Sequence, residues 1–462
     1  MNVKALAIFL GGMDAAHRIG VLFQYHLAHD AVTTRFVADE GFATNPAGLL
    51  LSSSLRVANP EAQRTLWADI TSRLLNGRFS NRNGWLLPAL FQNLLPEGVF
   101  RDRIAELRAC DPKDHFEILA ACGKDLPGFV YALPVDLDRD TLNRYITQNQ
   151  DALEMSVTAE PLEEGVSLSG VQPKVAVTLK DGRYVARTKT GEAHIIAKLP
   201  VVGQPQLPEL EHLSLQLAGA AGVNVCEARL APLALLAVEH GYDMDETDAQ
   251  TLFLAVNRYD RDGPGRVHCE DFAQVLGVWP EDKYREASYT QVALVLNALF
   301  GEKGVAELLR RLLVNELLGN PDMHLKNIGL RYPDGHHPEL PGAYDIVGYS
   351  AYAKRVGHAL HLLPPDTPGV KPKLKAEPGI ATPGKPQLSP AVLRQFCAIL
   401  GLPEKPMAAV LRKVIAAAVV KWPDMIAASG ITDQMKSNLS AHFRSHQMVQ
   451  SFEKRASRVA AA

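Results

Sequence analysis

The spacing of apolar residues changes part-way along this chain of 462 residues, and that change limits the folds available to it. Between about residues 150 and 260 the apolar runs are short, as at 174–179 and 252–256, and this pattern predicts β-strands. Beyond about residue 265 apolar residues recur every three or four positions, and Gly319-Asn320-Pro321 is a helix stop signal. The sequence therefore predicts an α+β protein with a β-rich lobe and a helical lobe, and a ligand site in the cleft between them.

The pattern within each part predicts several individual elements. Residues 1–12 are predicted to form a strand ending in a Gly-Gly turn rather than an export signal, because the apolar stretch is short. Residues 89–107 and 209–222 have helical periodicity, and Asp181-Gly182 has the composition of a hairpin turn. The proline-rich interval 364–390 is predicted to be a mobile loop rather than core.

Composition excludes several classes of protein. The net charge of -3 gives no general attraction to nucleic acid or to anionic lipid. The five cysteines are scattered without a Cys-x-x-Cys pair, which favours a reducing cytoplasm, and no apolar stretch is long enough to cross a membrane. Neither a serine-hydrolase elbow nor a dinucleotide-binding glycine motif is present, so those enzyme classes are disfavoured.

A dense group of polar residues follows the predicted helix stop. Asp322, His324, Lys326 and Asn327 lie between apolar flanks. The Asp322-x-x-x-x-Asn327 spacing equals that of a protein-kinase catalytic loop, in which the Asp accepts the substrate hydroxyl's proton and the Asn binds magnesium. A lone carboxylate, Asp345, lies in the next β-like segment, and Mg²⁺ is a suitable partner for it. The pattern predicts Mg²⁺-dependent phosphoryl transfer from ATP.

Two upstream segments fit the nucleotide end of such a site. Lys198 closes a β-like run and is predicted to point inwards at the α- and β-phosphates, with either Glu209 or Glu211 orienting its amine. Residues 165–174 carry two glycines and two serines before a strand and form a candidate phosphate-covering loop. An ordinary β-turn has the same composition, so this signal is weak by itself.

Five segments in chain order resemble the motifs of HipA-type kinases, the serine/threonine kinase toxins of type II toxin–antitoxin systems. They are residues 167–174, 194–200, 254–261, 320–327 and 344–346. Residues 93–97, 101–103 and 123–128 are similar to the amino-terminal subdomain of that family. The resemblance implies a two-lobed, protein-kinase-like fold, with a HipA-like subdomain at 1–145, a β-rich nucleotide-binding lobe at 146–262 and a helical catalytic lobe at 263–462.

The resemblance also implies roles for the matching residues. Asp322 is the implied base, Lys198 and His324 lie at the phosphates, and Asn327 and Asp345 hold magnesium. The implied nucleotide-binding positions are Ser169, Gly170, Val171, Gln172, Lys198, Asn257, Tyr259, Asp260 and Lys326. Among these, the backbone of Asn257 and Tyr259 contacts adenine and Asp260 reaches the ribose. Ser167 and Ser169 are the implied sites of inactivating autophosphorylation.

The resemblance further implies a cytoplasmic protein substrate, such as an aminoacyl-tRNA synthetase, and a helix-turn-helix antitoxin of HipB type that brings the kinase to DNA indirectly. Two alternatives stay open on the residues alone. One is a nucleotide-binding regulatory or repressor subunit without transfer activity, and the other is a kinase for a small molecule. The presence of Asp322, Asn327, Asp345 and Lys198 together argues against the first, because a degenerate kinase usually loses at least one of them.

Overall fold

The computed structural model describes residues 2–12, 16–26, 31–45, 48–57, 59–135, 154–156, 160–162, 167–168, 172–186, 193–244, 247–262, 265–353, 357–365, 367 and 387–460. The chain forms two compact units, each assembled from three stretches of sequence. Unit 1 comprises residues 1–195, 258–281 and 330–339, and unit 2 comprises residues 196–257, 282–329 and 340–462. The predicted division into 1–145, 146–262 and 263–462 stays a prediction. Most of the predicted loop 364–390, namely 366 and 368–386, lies outside the described residues.

The described residues contain strands in both units. In chain order they are β1 (Asn2–Leu10), β2 (His17–His26), β3 (Val32–Ala38), β4 (Arg78–Ser80), β5 (Gly84–Leu86), β6 (Val130–Pro134), β7 (Glu154–Ser156), β8 (Lys174–Lys180), β9 (Arg183–Ala186), β10 (Ile195–Lys198), β11 (Ala228–Pro232), β12 (Leu236–Ala237), β13 (Leu252–Asn257), β14 (Arg261–Asp262), β15 (Gly265–Arg266), β16 (His268–Asp271) and β17 (Gly329–Tyr332).

The two longest α-helices of the described residues lie in the second half of the chain. They are α1 (Glu40–Ala43), α2 (Pro60–Ala68), α3 (Ala89–Asn93), α4 (Gly98–Arg108), α5 (His115–Cys122), α6 (Leu207–Ala220), α7 (Phe272–Val275), α8 (Tyr289–Phe300), α9 (Glu302–Leu318), α10 (Pro390–Leu400), α11 (Glu404–Ala428), α12 (Asp433–Ser445) and α13 (Gln447–Ala460). Within the part of the chain that the structure describes, none of them has the length and apolarity to cross a membrane.

Unit 1 is built on a sheet with strand order β3-β2-β1-β6, and β7 pairs in parallel with β1. The first strand is confirmed: β1 runs antiparallel to β2, and Val3, Ala5, Val21 and Phe23 form an apolar cluster on it. The hairpin between β8 and β9 is also confirmed. Its turn residues, Asp181 and Gly182, both have positive φ, as a two-residue type I′ turn requires.

The predicted helix over residues 89–107 is wrong in one respect, because it is divided into α3 and α4. Pro96 lies in the gap, and a proline has no N–H to continue the hydrogen-bond ladder of a helix. Glu97 then takes an extended conformation as the N-cap of α4. The helix predicted at 209–222 is confirmed as α6, which begins two residues earlier.

Helix α9 lies at the centre of unit 2, where it packs against α8, α11 and α12. Its apolar residues at the predicted helical spacing are fully buried, namely Val305, Leu309, Leu312, Leu313 and Leu317. The helix ends in a Schellman motif, in which the N–H of Gly319 bonds to the carbonyl of Glu316 and the N–H of Asn320 bonds to that of Asn315. Gly319 has φ +66°, so the predicted stop signal is confirmed.

Glu316 on α9 is a buried carboxylate that holds three chain segments. It accepts hydrogen bonds from His358 Nε2 at 2.5 Å, from His446 Nε2 at 3.0 Å and from the N–H of Leu388 at 2.7 Å. Burial raises the pKa of Glu316, but the charge of His358 and the hydrogen bonds from His358 and His446 lower it to about 2. This carboxylate therefore connects α9 to the chain before the proline-rich interval, to Leu388 near the end of that interval, and to the residue that follows α12.

We expect Glu316→Ala to lower the free energy of unfolding by about 3–5 kcal/mol, because it leaves three buried donors without their acceptor. Urea unfolding at pH 7 measures this loss, and Glu302→Ala on the exposed start of α9 is the matched control. Since the folded pKa of Glu316 lies below the ordinary 4.5, its contribution is present above pH 4.5 and disappears as the pH falls toward 2. Equal stability of the two variants at pH 7 would contradict this role.

Candidate active site

The polar residues after α9 form a compact loop that binds its own backbone. The carbonyl of Asp322 accepts the N–H of His324 at 2.7 Å and the side-chain amide of Asn327 at 2.8 Å. The N–H of Asn327 donates to the carbonyl of His324 at 2.9 Å, and the hydroxyl of Tyr344 donates to that of Lys326 at 3.0 Å. The structure thus brings Asp322, His324, Lys326 and Asn327 together, as their spacing predicted.

Asn320 links this loop to the segment that carries Asp345. Its side-chain oxygen accepts the N–H of Asp322 at 3.1 Å. Its side-chain nitrogen donates to Asn315 Oδ1 at 2.6 Å and to the carbonyl of Asp345 at 3.3 Å. One amide side chain therefore contacts both predicted chemical segments. Asn320 was predicted only as part of the helix stop Gly319-Asn320-Pro321, and its contact with the Asp345 segment was not predicted.

Asp345 occupies a backbone conformation that the sequence did not predict. Residues 343–347 do not form the expected β-segment, and Asp345 has φ +53°. The chain before it is anchored at Ala343, whose N–H and carbonyl bond to the carbonyl of Asn224 and the N–H of Cys226. Aspartate is one of the few residues that tolerate this left-handed region. The strand prediction is therefore wrong here, and the turn aims the carboxylate at a lysine.

That lysine is Lys198, at the end of β10, with a side chain only 8% exposed. Its Nζ donates to Glu211 Oε1 at 2.5 Å and to Asp345 Oδ1. Burial lowers the pKa of Lys198, but the charges of Asp345 and Glu211 outweigh burial and raise the pKa above its ordinary value. The amine is therefore held in its charged form. Of the two acids left open by the sequence, the structure selects Glu211 on α6, which is buried, and not Glu209.

The donor set suits magnesium better than a metal of the zinc type. No three His, Cys, Asp or Glu side chains within the described ranges lie close enough to bind a metal. Asn327 and Asp345 offer an amide and a carboxylate, and the amide nitrogen of Asn327 is engaged with Asp322. That bond leaves the amide oxygen of Asn327 as the side-chain atom that could bind a metal. Magnesium is typically bound by one or two such oxygen ligands together with phosphate oxygens and water, so these two residues fit it.

The predicted ribose contact of Asp260 is not supported by its surroundings in unit 1. Its carboxylate accepts hydrogen bonds from Arg258, Arg261 and the N–H of Gly128. Burial raises the pKa of Asp260, but the two guanidinium charges outweigh it and hold the pKa far below its ordinary value. Asp125 joins the same buried network by accepting from Arg258 and Arg261. Both carboxylate oxygens of Asp260 therefore accept hydrogen bonds from the protein, and the residue has a structural role in this network.

The other predicted nucleotide residues are placed only in part. Asn257 ends β13, and its N–H donates to the carbonyl of Glu227 at 2.9 Å, so this N–H is engaged by the sheet. Tyr259 is half-buried in the turn that follows, and Gln172 precedes β8. Ser169, Gly170 and Val171 lie outside the described residues. The adenine and phosphate-loop roles of these residues stay predictions.

Ser167, one of the two predicted phosphorylation sites, is buried in unit 1. Its hydroxyl donates to the carbonyl of Leu94, and its N–H donates to the carbonyl of Asp125 at 3.0 Å. Its residue surface is only 1% exposed. A phosphoryl group could reach this hydroxyl only after the segment leaves that position. Its modification stays a prediction, as does that of Ser169.

Sequence comparison covers most of both units. Residues 166–422 match the family described as the HipA-like C-terminal domain, which is more than half of the chain, and residues 14–133 match the HipA N-terminal domain. The chain belongs to the HipA family. The family predicted from the five motifs is thereby confirmed.

Two curated relatives of this HipA-family protein come from Sinorhizobium fredii. One, named "Putative kinase Y4dM", is 36% identical over 272 residues, which are 58% of this chain and 63% of that protein. The other, named "Putative kinase Y4mE", is 30% identical over 325 residues, which are 63% of this chain and 73% of that protein. The aligned region thus spans less than two thirds of the length of the first relative.

The HipA-family fold is also found by structural comparison. A solved chain from the Shewanella oneidensis MR-1 toxin–antitoxin system, described as a complex of HipA, HipB and operator DNA, superposes with a TM-score of 0.61. The match covers 96% of this chain and 97% of that chain at 19% sequence identity. At that identity the likeness concerns the fold alone, and it confirms the predicted α+β fold of HipA type.

Proposed function

We propose that this HipA-family protein is an ATP- and Mg²⁺-dependent serine/threonine protein kinase. The observation that carries the proposal is a connected set in unit 2. The backbone of Asp322 is joined through Asn320 to Asp345, and the carboxylate of Asp345 contacts the Lys198–Glu211 pair. A buried Lys–Glu pair beside an aspartate, with an Asp-x-x-x-x-Asn loop, is the group arrangement that phosphoryl transfer needs.

In the proposed reaction, the acceptor hydroxyl gives its proton to the carboxylate of Asp322 as its oxygen bonds to the γ-phosphorus. The bond from that phosphorus to the departing ADP oxygen breaks in the same displacement. Lys198 and His324 contact the phosphates, and Asn327 and Asp345 hold the magnesium. When bound, Mg²⁺ neutralises charge on the phosphate oxygens. Lys326, Gln172 and the loop residues Ser169, Gly170 and Val171 complete the proposed nucleotide contacts, with Asn257 and Tyr259 at the adenine.

We further propose a cytoplasmic protein acceptor, such as an aminoacyl-tRNA synthetase, whose phosphorylation arrests growth. Both Sinorhizobium relatives are named as kinases, which supports the reaction class. The solved Shewanella complex contains HipB and operator DNA. By analogy, the proposed partner here is an antitoxin of HipB type, with DNA contacted through that antitoxin. Autophosphorylation at Ser167 or Ser169 would inactivate the kinase.

The test is phosphate transfer with and without the metal. We expect the intact mass of the purified protein to gain phosphate at Ser167 or Ser169 with ATP and Mg²⁺. With EDTA the rate should fall roughly 10³-fold, because a bound metal supplies several kcal/mol of transition-state stabilisation. In cell lysate, label from γ-³²P ATP should enter protein. Label in small metabolites alone would favour a small-molecule kinase, and no transfer despite ATP binding would favour a regulatory subunit.

A further inference from the structure

Tyr284, just before α8, makes a contact that the proposed reaction has not used. Its hydroxyl donates to Oδ1 of Asp322, with the two oxygens 2.6 Å apart. Its ring meets the imidazole of His324 edge to face, with centroids 4.9 Å apart and an interplanar angle of 86°. The ammonium of Lys283 lies 5.7 Å from the ring centroid. The tyrosine therefore contacts two residues of the loop, Asp322 through its hydroxyl and His324 through its ring.

The hydrogen bond from Tyr284 to Asp322 differs from the other hydrogen bonds that hold this loop. Asn327 and Tyr289 donate to the backbone carbonyls of Asp322 and Met323, and Asn320 accepts the N–H of Asp322. Such bonds fix the position of the loop backbone. They leave the two side-chain torsions of Asp322 to be set by other contacts. The hydroxyl of Tyr284 acts on the carboxylate itself, so it restrains those torsions.

A general base must lie within about 2.6–3.2 Å of the oxygen that carries the proton it removes, and small misplacements of a reacting group are costly. A carboxylate that turns about its torsions would meet this condition only part of the time. A charge-assisted bond as short as 2.6 Å is strong enough to select one orientation.

We propose that Tyr284 is a positioning residue for the base: its hydrogen bond to Oδ1 holds the carboxylate of Asp322 in the orientation in which it receives the proton of the acceptor hydroxyl. This inference rests on the proposed kinase function. It assigns Tyr284 no contact with the nucleotide or the acceptor. Removal of the hydroxyl should therefore slow the chemical step and leave nucleotide binding as it was.

The test is Tyr284→Phe, which removes only the hydroxyl and keeps the ring against His324. We expect kcat to fall roughly 10- to 100-fold, the range for loss of a hydrogen bond to a charged group, with the KM and Kd for ATP within about twofold of wild type. Tyr352→Phe is the matched control, because its hydroxyl bonds to the carbonyl of Pro205 elsewhere in the same unit. Thermal melting confirms that each variant is folded.

A double-mutant cycle separates positioning from a general effect on the loop. In an Asp322→Ala background, Tyr284→Phe should cause no further loss in the single-turnover rate, since the group it orients is absent. An equal loss in both backgrounds would overturn the proposal, and so would an unchanged or higher kcat in the single variant. A folded wild-type protein that transfers no phosphate would overturn the kinase function itself, which distinguishes that failure from this one.

Discussion

Asp322→Ala is expected to slow phosphoryl transfer by roughly 10²–10⁴-fold, the contribution of a general base, while ATP affinity stays unchanged. The loop should survive the change because its bonds to this residue involve the backbone. The N–H of Asp322 donates to Asn320, and its carbonyl accepts from His324 and Asn327. Alanine keeps all three bonds and removes only the carboxylate. Single-turnover rates with γ-³²P ATP and a separate ATP binding titration measure the two quantities.

The control for this prediction is Asp433→Ala at the start of α12, where the carboxylate is exposed and makes only a long ion pair with Lys436. That variant should transfer phosphate at the wild-type rate. If Asp322→Ala also did so while remaining folded, another group would have to be the base. A loss of ATP affinity together with the rate would instead mean that the substitution had disturbed the nucleotide site.

The second large effect is expected from Asp345→Asn, which should reduce transfer roughly 10³-fold and abolish the dependence of ATP affinity on Mg²⁺. Asparagine has nearly the same size and also tolerates φ near +53°, so the turn should persist. The variant removes one negative charge beside Lys198. The amine keeps its bond to Glu211 and therefore stays paired. Transfer rates over a magnesium series, and ATP affinities with and without Mg²⁺, measure the effect.

Asp181→Asn provides a close control, because Asp181 also has positive φ, at +50°, but lies in the exposed hairpin turn between β8 and β9. This variant shows how the same substitution, in the same backbone conformation, changes transfer at a residue that is not proposed to bind metal. We expect it to show wild-type magnesium dependence. If Asp345→Asn behaved identically to this control, Asp345 would not be a magnesium ligand.

The sequence could predict the parts of the site that are local. Asp322 and Asn327 lie five positions apart in one loop, and the helix stop before them comes from Gly319 and Pro321. Such features depend on backbone rules that act within a few residues. The same is true of the hairpin at Asp181, whose turn type follows from its own composition. These elements were predicted with the correct bounds or within a few residues.

Long-range pairing could not be predicted in the same way. Lys198 and Asp345 are 147 positions apart, and nothing near either residue specifies the other. Both Glu209 and Glu211 follow Lys198, but only the packed position of α6 decides that Glu211 meets the amine. Tyr284 is 38 positions before Asp322, and the contact between them was not predicted. A tyrosine shortly before a helix occurs in many folds and does not indicate a contact with a distant carboxylate.

The buried network of charged residues around Asp260 could not be predicted from the sequence, for a related reason. Asp260 was assigned to the ribose by the resemblance to HipA-type kinases, and the residues around it do not show that it is buried. Its position depends on Gly128, 132 positions earlier, and on the arginines that flank it in sequence. Arg258 and Arg261 also pair with Asp125, more than 130 positions away. The sequence shows the charges but not which of them are buried together.

The interleaved composition of the two units has a consequence for synthesis of the chain. Unit 1 includes residues 330–339. These residues are made only after two stretches of unit 2, 196–257 with Lys198 and 282–329 with Asp322. At about 5–20 residues per second, a ribosome needs roughly 17–70 s to reach that point. During this interval β16 exists without its partner strand β17. Unit 1 can be completed only once residue 339 has been made, when residues 340–462 of unit 2 are still to follow, so the two units should be completed one after the other late in synthesis.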